Sequence, residues 1–307
     1  MHIYDMLILG GGPGGYTAAL FGARAGLDVL VLEKMSAGGQ MALTSRIDNY
    51  PGFDSGIDGF TLGQKMQAGA ERFGAETRLA QVQAADLSGP VKQVTTSEGI
   101  FYGKTVVLAT GADPRHLDVP GEQALLGRGV SYCAACDGMF YKGKTVAVIG
   151  GGNTAAATAM LLSRICRHVF LIHRRDSLRA SKVDQAALDR AENITFRFNA
   201  AVSSLLGGEK LTGITLQDVN TGETSVLDCD GVFVCIGRAP VTELVKDQLT
   251  LDPAGYVTAD ESTQTSLPGV FAVGDVRTKQ VRQIITAAAD GAVAAHNAEA
   301  YLTQAPQ

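Results

Sequence analysis

The chain of 307 residues lacks tryptophan, has only five cysteines, and contains no apolar run near the ~20 residues of a membrane-spanning helix. An odd number of cysteines does not form a secreted disulfide framework. The formal net charge of −5, without any run of Lys or Arg, argues against nonspecific nucleic-acid binding. The N-terminal residues have no signal-peptide layout. We therefore expect a cytoplasmic protein with no membrane or nucleic-acid partner.

Glycine, by contrast, is plentiful at 37 residues, and it marks an internal repeat. Residues 6–15 (MLILGGGPGG) form an apolar segment that runs into a glycine turn, and residues 146–155 (VAVIGGGNTA) repeat the pattern. Each copy then predicts a helix and a second strand, at Tyr16 to about Ala25 with Asp28–Leu32, and at Ala156 to about Cys166 with His168–Ile172. Strand, glycine turn, helix and strand form the opening βαβ unit of a dinucleotide-binding fold.

Domain boundaries follow from two further apolar strands, 105–114 and 232–240, which both end in a glycine and then a proline. They place hinges near residues 112–116 and 239–244. The remaining stretch of about 65 residues is small for an independent core and has no glycine turn, so we expect it to complete the first domain. The predicted fold is α/β with two Rossmann-like domains: 1–114 and 243–307 form a discontinuous first domain, into which 115–242 is inserted.

In the first turn, Gly10, Gly12 and Gly15 fill the positions of the G-x-G-x-x-G pattern, with Pro13 and Gly14 between them. Such glycines let the backbone approach a pyrophosphate at a helix N-terminus. Glu33 ends the next strand, where an acid bonds a ribose hydroxyl. FAD is the expected occupant.

The second turn uses Gly150, Gly152 and Ala155, and the position equivalent to the acid is His173. The basic side chains of Arg174, Arg175 and Arg179 follow it. An arginine cluster binds a 2′-phosphate, which an acid would repel, so this site predicts NADPH rather than NADH. The alternative is a solvated basic patch at a helix start.

A later strand in residues 269–276 (GVFAVGDV) delivers Asp275 to a position where it would hold a ribityl hydroxyl. A turn or helix-capping role for Asp275 is the alternative. The following helix, predicted over Val281–Ala295, is rich in Ala and Gly, which suits close approach to a flat ring.

Cys133 and Cys136 form a CxxC sequence that Asp137 follows directly. In an α/β protein this pattern is more often a reversible dithiol than a structural link. Zinc needs four ligands, and the chain has no second CxxC, so we expect no metal site. The pair predicts a redox disulfide, with a merely structural pair as the alternative. Asp137 would exchange a proton with the thiols. A role as an N-cap or as the start of an Asp-Gly turn is the alternative, and the two roles are compatible.

Ten motifs, in order along the chain, are GGGPGGYTAAL, GGQM, NYPGF, VVLATGA, CAACDG, VAVIGGGNTA, HRRDSLRASK, VFVCIGRAP, GVFAVGDV and RQIITAA. Over essentially its whole length the chain thereby resembles the bacterial low-molecular-weight thioredoxin reductases. The resemblance implies an FAD domain interrupted by an NADPH domain, a homodimer, a thioredoxin-like partner, and a domain rotation that presents the flavin in turn to nicotinamide and to the disulfide.

The resemblance also implies roles for individual residues. Cys136 would lie nearer the flavin, Cys133 would attack thioredoxin, and Asp137 would be the acid/base. FAD contacts would come from the first turn and from Lys34, Gly38, Gly39, Gln40, Met41, Asn49, Gly274, Asp275, Arg282, Gln283 and Ile284. NADPH contacts would come from Gly152, Asn153, Thr154, His173, Arg174, Arg175 and Arg179.

Residues 156–159 are Ala-Ala-Thr-Ala, whereas the family usually carries Val-Glu-Glu-Ala. Val281 also replaces an aromatic residue common in the family. The alternative is therefore a disulfide reductase of the same fold with another donor, such as reduced ferredoxin or flavin, or with another dithiol partner. A ferredoxin–NADP reductase and a redox-sensing binding protein are further alternatives, which the CxxC disfavours.

Overall fold

The computed structural model describes residues 1–44 and 46–304. The strands are β1 (Ile3–Leu9), β2 (Val29–Glu33), β3 (Glu76–Leu79), β4 (Val82–Asp86), β5 (Lys92–Thr96), β6 (Gly99–Leu108), β7 (Ala112–Pro114), β8 (Val130–Ser131), β9 (Thr145–Ile149), β10 (His168–Ile172), β11 (Ile194–Arg197), β12 (Ala200–Gly207), β13 (Leu211–Asp218), β14 (Thr224–Asp228), β15 (Gly231–Val234), β16 (Arg238–Pro240) and β17 (Val270–Ala272). The α-helices are α1 (Pro13–Arg24), α2 (Gly59–Glu71), α3 (Ala134–Asp137), α4 (Asn153–Ser163), α5 (Lys182–Leu188) and α6 (Ile284–Gln304). Short 3-10 helices span Gly39–Leu43, Gly138–Tyr141 and Gly274–Val276.

Residue contacts divide the chain into two compact units. The first combines Met1–Asp113 with Ala239–Gln307, and the second is Pro114–Arg238. The two connecting segments, β7 and β16, pair with each other in a two-stranded sheet. Gly111 and Gly237 precede these strands with φ values of 73° and 113°, a backbone region that favours glycine. These glycines interrupt the long strands that the sequence predicted over 105–114 and 232–240.

The first unit is built on a seven-stranded sheet in the order β3-β2-β1-β6-β5-β4, with β17 also paired to β6. The pairs β3–β2, β2–β1, β1–β6 and β6–β17 are parallel, whereas β5 joins β6 and β4 in antiparallel fashion. The central strands are apolar almost throughout, because residues on both faces of the sheet are buried. Helices α1 and α6 pack against each other.

The second unit contains a parallel five-stranded sheet in the order β11-β10-β9-β15-β8. A separate antiparallel sheet, β12-β13-β14, packs its apolar residues with those of the parallel sheet in one core cluster. Each unit thus contains a βαβ repeat, in a mainly parallel sheet in the first unit and in a wholly parallel one in the second, and the predicted fold class of two Rossmann-like domains is confirmed. Among the described residues, no helix is both long and apolar enough to cross a membrane.

Both repeat helices begin earlier than predicted, at Pro13 instead of Tyr16 and at Asn153 instead of Ala156. Proline is well suited to the first helical position, because its φ is helical and it has no N–H to satisfy there. The last helix begins later than predicted, at Ile284 instead of Val281, and continues to Gln304. The backbone N–H of Gln283 donates to Oγ1 of Thr286, so the helix starts only after this bond.

Candidate active site

The first glycine turn leads into the N-terminus of α1. Gly12 precedes the helix in an extended conformation, and neither a capping side chain nor an acidic residue occupies the first turn. A Cβ on Gly12 would meet nothing within 4 Å, whereas one on Gly15 would overlap the carbonyl oxygen of Gly10. Gly15 therefore permits close helix–strand packing, and Gly12 leaves an open cradle beside backbone N–H groups that favour an anion.

Glu33 is buried and holds this turn in place. Its Oε2 accepts a 2.6 Å hydrogen bond from the backbone N–H of Gly11, and its Oε1 accepts one of 2.9 Å from Met35. The backbone N–H of Gly38 donates to the carbonyl of Gly11 at 2.8 Å, which brings the segment that follows β2 to the same turn. A Cβ on Gly39 would lie 3.4 Å from Cα of Gly12. Of the predicted residues in this segment, Lys34, Gly39 and Gln40 are exposed, whereas Gly38 and Met41 are buried.

Two predicted contacts from distant parts of the chain meet in the first unit. Asn49 donates from Nδ2 to Oε1 of Gln283 at 3.1 Å. Met41 is buried in a small cluster against which Ile284 packs. Gln40 lies elsewhere, where its Nε2 donates to the carbonyl of Ala112 and to Oδ1 of Asp113. The structure therefore brings Asn49 and Gln283 together, and it places Gln40 at the connecting strand.

The guanidinium of Arg282 lies 4.2 Å from the ring centroid of Tyr256, a cation–π arrangement. Its Nε is buried and has no hydrogen-bond partner among the described residues. Burial raises the pKa of Tyr16, at the start of α1, to about 12, and the hydroxyl of Thr77 opposes this rise. An unsatisfied buried donor such as Nε of Arg282 calls for a partner. The open cradle, the buried acid and this donor fit a bound dinucleotide.

Asp275 lies in the 3-10 turn Gly274–Val276, and a buried ionic network holds the start of this turn. Asp290 of α6 accepts from the backbone N–H of Gly274 at 2.8 Å. It also forms ion pairs with Arg277 and Lys279, both at 2.7 Å. Sequence reasoning missed this network. No sequence signal marked it, because Asp290 lies 16 residues from Gly274 and meets it only in the fold.

The second glycine turn repeats the arrangement at the N-terminus of α4. Gly152 is extended, a Cβ on it would meet nothing within 4 Å, and the first turn of the helix after it has no acidic residue. The carbonyl of Gly151 accepts from the backbone N–H groups of Arg179 and Ala180, at 2.7 and 3.1 Å. Oδ1 of Asn153 accepts from the backbone of Ser181 at 2.9 Å. These bonds fasten the arginine-bearing loop to the turn.

His173 is buried at the end of β10, and its ring lies against Gly151. Its Nε2 has no hydrogen-bond partner among the described residues. Burial lowers the pKa of His173, and the nearby Arg179, Arg175 and Arg174 lower it further. The three arginines are exposed, as are Asn153 and Thr154, and among the described residues none of the guanidinium groups pairs with a carboxylate. This cluster has the charge and the exposure to bind a phosphate.

The helix position where the family carries its second glutamate is Thr158. Thr158 is buried, and its Oγ1 accepts a 3.4 Å hydrogen bond from the thiol of Cys235. Cys166 and Cys229 are buried, and burial raises the pKa of each thiol, to about 11 and about 12. These three cysteines are packed in the core of the second unit rather than gathered as ligands. Within the described part of the chain, no group of three His, Cys, Asp or Glu residues is arranged to hold a metal.

Cys133 and Cys136 form a disulfide with Cα atoms 5.3 Å apart. Cys133 is the N-cap of the short helix α3, and its carbonyl accepts from the backbone N–H groups of Cys136 and Asp137, at 3.2 and 3.0 Å. Both cysteines are half-buried, and Cys133 immediately precedes the four-residue helix α3. This geometry suits a disulfide that opens and closes.

Asp137 ends α3, and its carboxylate makes no capping bond. Asp137 stands at the N-cap position of the 3-10 helix Gly138–Tyr141, as one alternative expected, but its carboxylate bonds to another partner instead of capping that helix. Oδ2 of Asp137 accepts a 2.6 Å hydrogen bond from Oγ of Ser131. Burial raises the pKa of Asp137, and the Ser131 bond opposes this rise only in part. A carboxyl with a raised pKa keeps its proton to a higher pH than an ordinary aspartate, which suits a proton donor.

Comparison with known proteins agrees with this geometry. The model of the family described as pyridine nucleotide-disulphide oxidoreductase matches residues 4–291. A thioredoxin reductase of Streptomyces clavuligerus is 48% identical over 98% of this chain and 94% of its own. One from Mycolicibacterium smegmatis is 46% identical, covering 98% and 97%.

Among solved structures, thioredoxin reductase from Streptococcus pyogenes superimposes with a TM-score of 0.91 at 41% identity, covering 99% of each chain. The family match spans both glycine turns and the Cys133–Cys136 disulfide. The chain belongs to the pyridine nucleotide-disulphide oxidoreductase family, and within it to the thioredoxin reductases.

Proposed function

We propose that the protein is an NADPH-dependent thioredoxin reductase that carries electrons through FAD and the Cys133–Cys136 disulfide to thioredoxin or a similar small dithiol protein. The observation that carries this proposal is a half-buried disulfide at the start of α3 with a half-buried carboxyl of raised pKa, Asp137, directly after it. Relatives that match nearly the whole chain are named thioredoxin reductases. The family implies use of a flavin and of a nicotinamide nucleotide.

FAD is assigned to the first unit, which corresponds to the first domain that the sequence predicted over residues 1–114 and 243–307. Glu33 would bond the adenosine ribose, and Gly12 would admit the pyrophosphate. Asp275 would hold a ribityl hydroxyl, and Arg282 would make a further contact with FAD. The buried acid and the orphaned Nε of Arg282 support this assignment. NADPH is assigned to the second unit, residues 115–242, because its turn carries His173 and three exposed arginines instead of an acid.

When bound, FAD accepts a hydride from NADPH and delivers two electrons to a disulfide. The protein's own residues perform the thiol chemistry. With the Cys133–Cys136 bond reduced, the Cys133 thiolate attacks one sulfur of the partner's disulfide, forming a mixed disulfide and releasing the partner's other sulfur as a thiolate. Cys136 then attacks the Cys133 sulfur, which restores the Cys133–Cys136 bond and releases the partner as a dithiol. Asp137 supplies a proton to a departing thiolate and recovers one from a thiol that ionises.

One observation favours a second candidate, a disulfide reductase of the same fold with a donor other than NADPH. The position of the family's second glutamate is Thr158, whose hydroxyl is engaged by Cys235, and the preceding position is the exposed Ala157. No carboxylate is present at either position to orient a nicotinamide. Anaerobic mixing with NADPH separates the two candidates, because only the first predicts bleaching of the flavin absorbance.

Cysteine replacement tests the proposed disulfide chemistry. Cys133→Ser and Cys136→Ser each remove one of the two sulfurs, so thioredoxin reduction should fall to the uncatalysed rate while NADPH still bleaches the flavin. Cys166→Ala is the matched control, because Cys166 is buried in the same unit and takes no part in the chemistry. A Cys136→Ser protein that reduced thioredoxin at the native rate would refute the scheme.

The same proposal includes a homodimer, from the resemblance to the family, and a cytoplasmic location, from the composition and cysteine content of the chain. Light scattering of the purified flavoprotein tests the dimer, which should have about twice the 32.0 kDa mass of the chain.

A further inference from the structure

The hydroxyl of Ser131 bonds both to the carboxyl of Asp137 and to the backbone of Cys133. Its Oγ donates to Oδ2 of Asp137 at 2.6 Å and accepts from the backbone N–H of Cys133 at 3.0 Å. A hydroxyl has one proton to give, and the bond to Asp137 is far shorter than the alternative contact to the carbonyl of Cys133 at 3.4 Å. The Ser131 side chain therefore joins the backbone of Cys133 to the carboxyl of Asp137.

Ser131 is fixed where it can make these bonds. It is buried in β8, where it lies beside Phe233 of β15 in a parallel register. The next residue, Tyr132, donates from its hydroxyl to Oε1 of Glu122 at 2.6 Å. The buried carboxylate of Glu122 also accepts from the backbone N–H groups of Leu117 and Asp118, both at 2.9 Å. A sheet on one side and an anchored tyrosine on the other leave the Ser131 hydroxyl little freedom to turn away.

The bond acts on the protonation state of Asp137. Burial disfavours the carboxylate and raises the pKa, whereas a hydroxyl that donates to the charged form favours it and lowers the pKa. Hydrogen bonds to a charged acceptor are shorter and stronger than those to a neutral one. The Ser131 bond therefore strengthens when Asp137 gives up its proton and weakens when Asp137 regains it.

We propose that Ser131 is a positioning residue for the thiol–disulfide step: it holds the Asp137 carboxyl against the Cys133 end of the redox pair and stabilises the carboxylate formed on proton release. This proposal rests on the proposed function, because it assigns Asp137 its acid/base role. In the step, the attacking thiolate supplies the electron pair of the new S–S bond, and the departing sulfur keeps the pair of the broken one. The proton of Asp137 passes to that sulfur, and the carboxylate left behind accepts the Ser131 bond.

Replacing Ser131 by alanine tests the proposal in the full-length flavoprotein. The cysteines are reduced with dithiothreitol, the reagent is removed, and the rate of exchange with a small alkyl disulfide, whose departing thiolate takes up a proton near neutral pH, is followed against pH. Loss of a hydrogen bond of about 1 kcal/mol predicts exchange about fivefold slower near neutral pH. Because the carboxylate loses its donor, the limb of the profile that belongs to Asp137 should move to higher pH.

Two variants accompany it. Ser163→Ala removes a serine hydroxyl in the same unit that bonds only to the carbonyl of Met160, and it should keep the wild-type profile. Ser131→Thr keeps the hydroxyl, and it should restore the position of the limb. A merely structural role for Ser131 predicts equal slowing at every pH, and a limb that stays in place in Ser131→Ala would overturn the proposal.

Infrared spectroscopy tests the same bond in the wild-type protein and does not depend on the folding of the alanine variant. The carboxyl bands of Asp137 are those that disappear in Asp137→Asn. Their positions should be those of a hydrogen-bonded carboxylate at high pH, and bands of a carboxylate without a hydrogen bond would contradict the proposal. The exchange assay needs neither NADPH nor thioredoxin. A wild type that exchanges normally but does not oxidise NADPH would therefore refute the proposed function alone.

Discussion

The imidazole of His173 lies so close to Gly151 that a Cβ on Gly151 would overlap the ring. The same glycine accepts through its carbonyl from the backbone N–H groups of Arg179 and Ala180. One residue of the second turn therefore positions both the histidine that replaces the usual acid and the loop that carries an arginine. The local order of this site depends on the absence of a side chain at Gly151.

Gly151→Ala should weaken NADPH binding, because the new methyl group displaces the buried His173 ring and with it the turn. We expect the Kd for NADPH to rise at least about tenfold, a loss of about 1.4 kcal/mol, while flavin content is unchanged. Equilibrium titration by fluorescence gives the Kd for NADPH, and the flavin absorbance gives the flavin content. Gly208→Ala is the control, because a Cβ there has nothing within 4 Å. Equal NADPH affinity in the two variants would show that the close contact is unimportant.

Gly12→Ala should separate folding from flavin binding. The extended backbone of Gly12 accepts alanine and its Cβ meets no protein atom, so the apoprotein should be as stable as wild type or more stable by about 0.4–1 kcal/mol. The methyl group would instead fill the cradle, so the purified protein should lose most of its FAD absorbance. Gly69→Ala, within helix α2, also has open space and should retain FAD fully. A Gly12→Ala protein saturated with FAD would show that the open space at Gly12 is not where FAD binds.

Arg174→Ala and Arg175→Ala should reduce the preference for NADPH over NADH. A charge-assisted hydrogen bond is worth about 1.5–3 kcal/mol, so each change should raise the KM for NADPH about 10- to 100-fold. The KM for NADH should stay within about twofold, because it has no 2′-phosphate to lose. Arg190→Ala removes an exposed arginine elsewhere in the same unit and controls for net charge. Parallel increases for both nucleotides would mean that these arginines do not contact the phosphate.

Asp290→Asn should destabilise the first unit and change how its stability depends on pH. Burial alone would raise the pKa of Asp290, but the bonds from Arg277, Lys279 and Gly274 outweigh it and lower the pKa. A carboxyl whose pKa is lower in the folded state stabilises the fold above its unfolded pKa, and this stability is lost as pH falls through the folded pKa. Breaking such a buried pair costs about 3–5 kcal/mol at neutral pH.

Urea unfolding of wild type and Asp290→Asn between pH 7 and pH 3 measures this effect. The range extends below the ordinary carboxyl pKa of about 4. The difference in unfolding free energy should be largest at pH 7 and shrink as the medium becomes acidic. Asp247→Asn, at an exposed carboxylate, should show little difference at any pH. A constant difference across the range would locate the cost in packing rather than in charge.

The sequence predicted those parts of the site that are local. Both glycine turns, Glu33 and the Cys133–Cys136 pair are predictable because each depends on residue types at short, fixed spacing. The predicted helix starts are wrong by three residues, since the glycines and proline of the turn also suit the beginning of a helix, and Pro13 occupies the first helical position.

Ser131 and Asp290 could not be predicted in the same way. Each acts through bonds that the fold creates, such as the bond from the Gly274 backbone to Asp290 across a loop and a helix turn. A serine in a two-residue strand, or an acid in an alanine-rich helix, carries no pattern in the sequence to reveal its partner. The sequence indicates a proton-exchange role for Asp137, but its bond to Ser131 requires the geometry of α3 and β8.

The most direct measurement is an anaerobic titration of the purified flavoprotein with NADPH, followed by addition of oxidised thioredoxin, with the flavin absorbance recorded throughout. The account predicts bleaching in proportion to NADPH and full recovery of the oxidised spectrum when thioredoxin is added. A flavin that dithionite bleaches and thioredoxin reoxidises, but that NADPH leaves unchanged, would contradict the assignment of NADPH as donor. A flavin bleached by NADPH that thioredoxin could not reoxidise would contradict the transfer through Cys133 and Cys136.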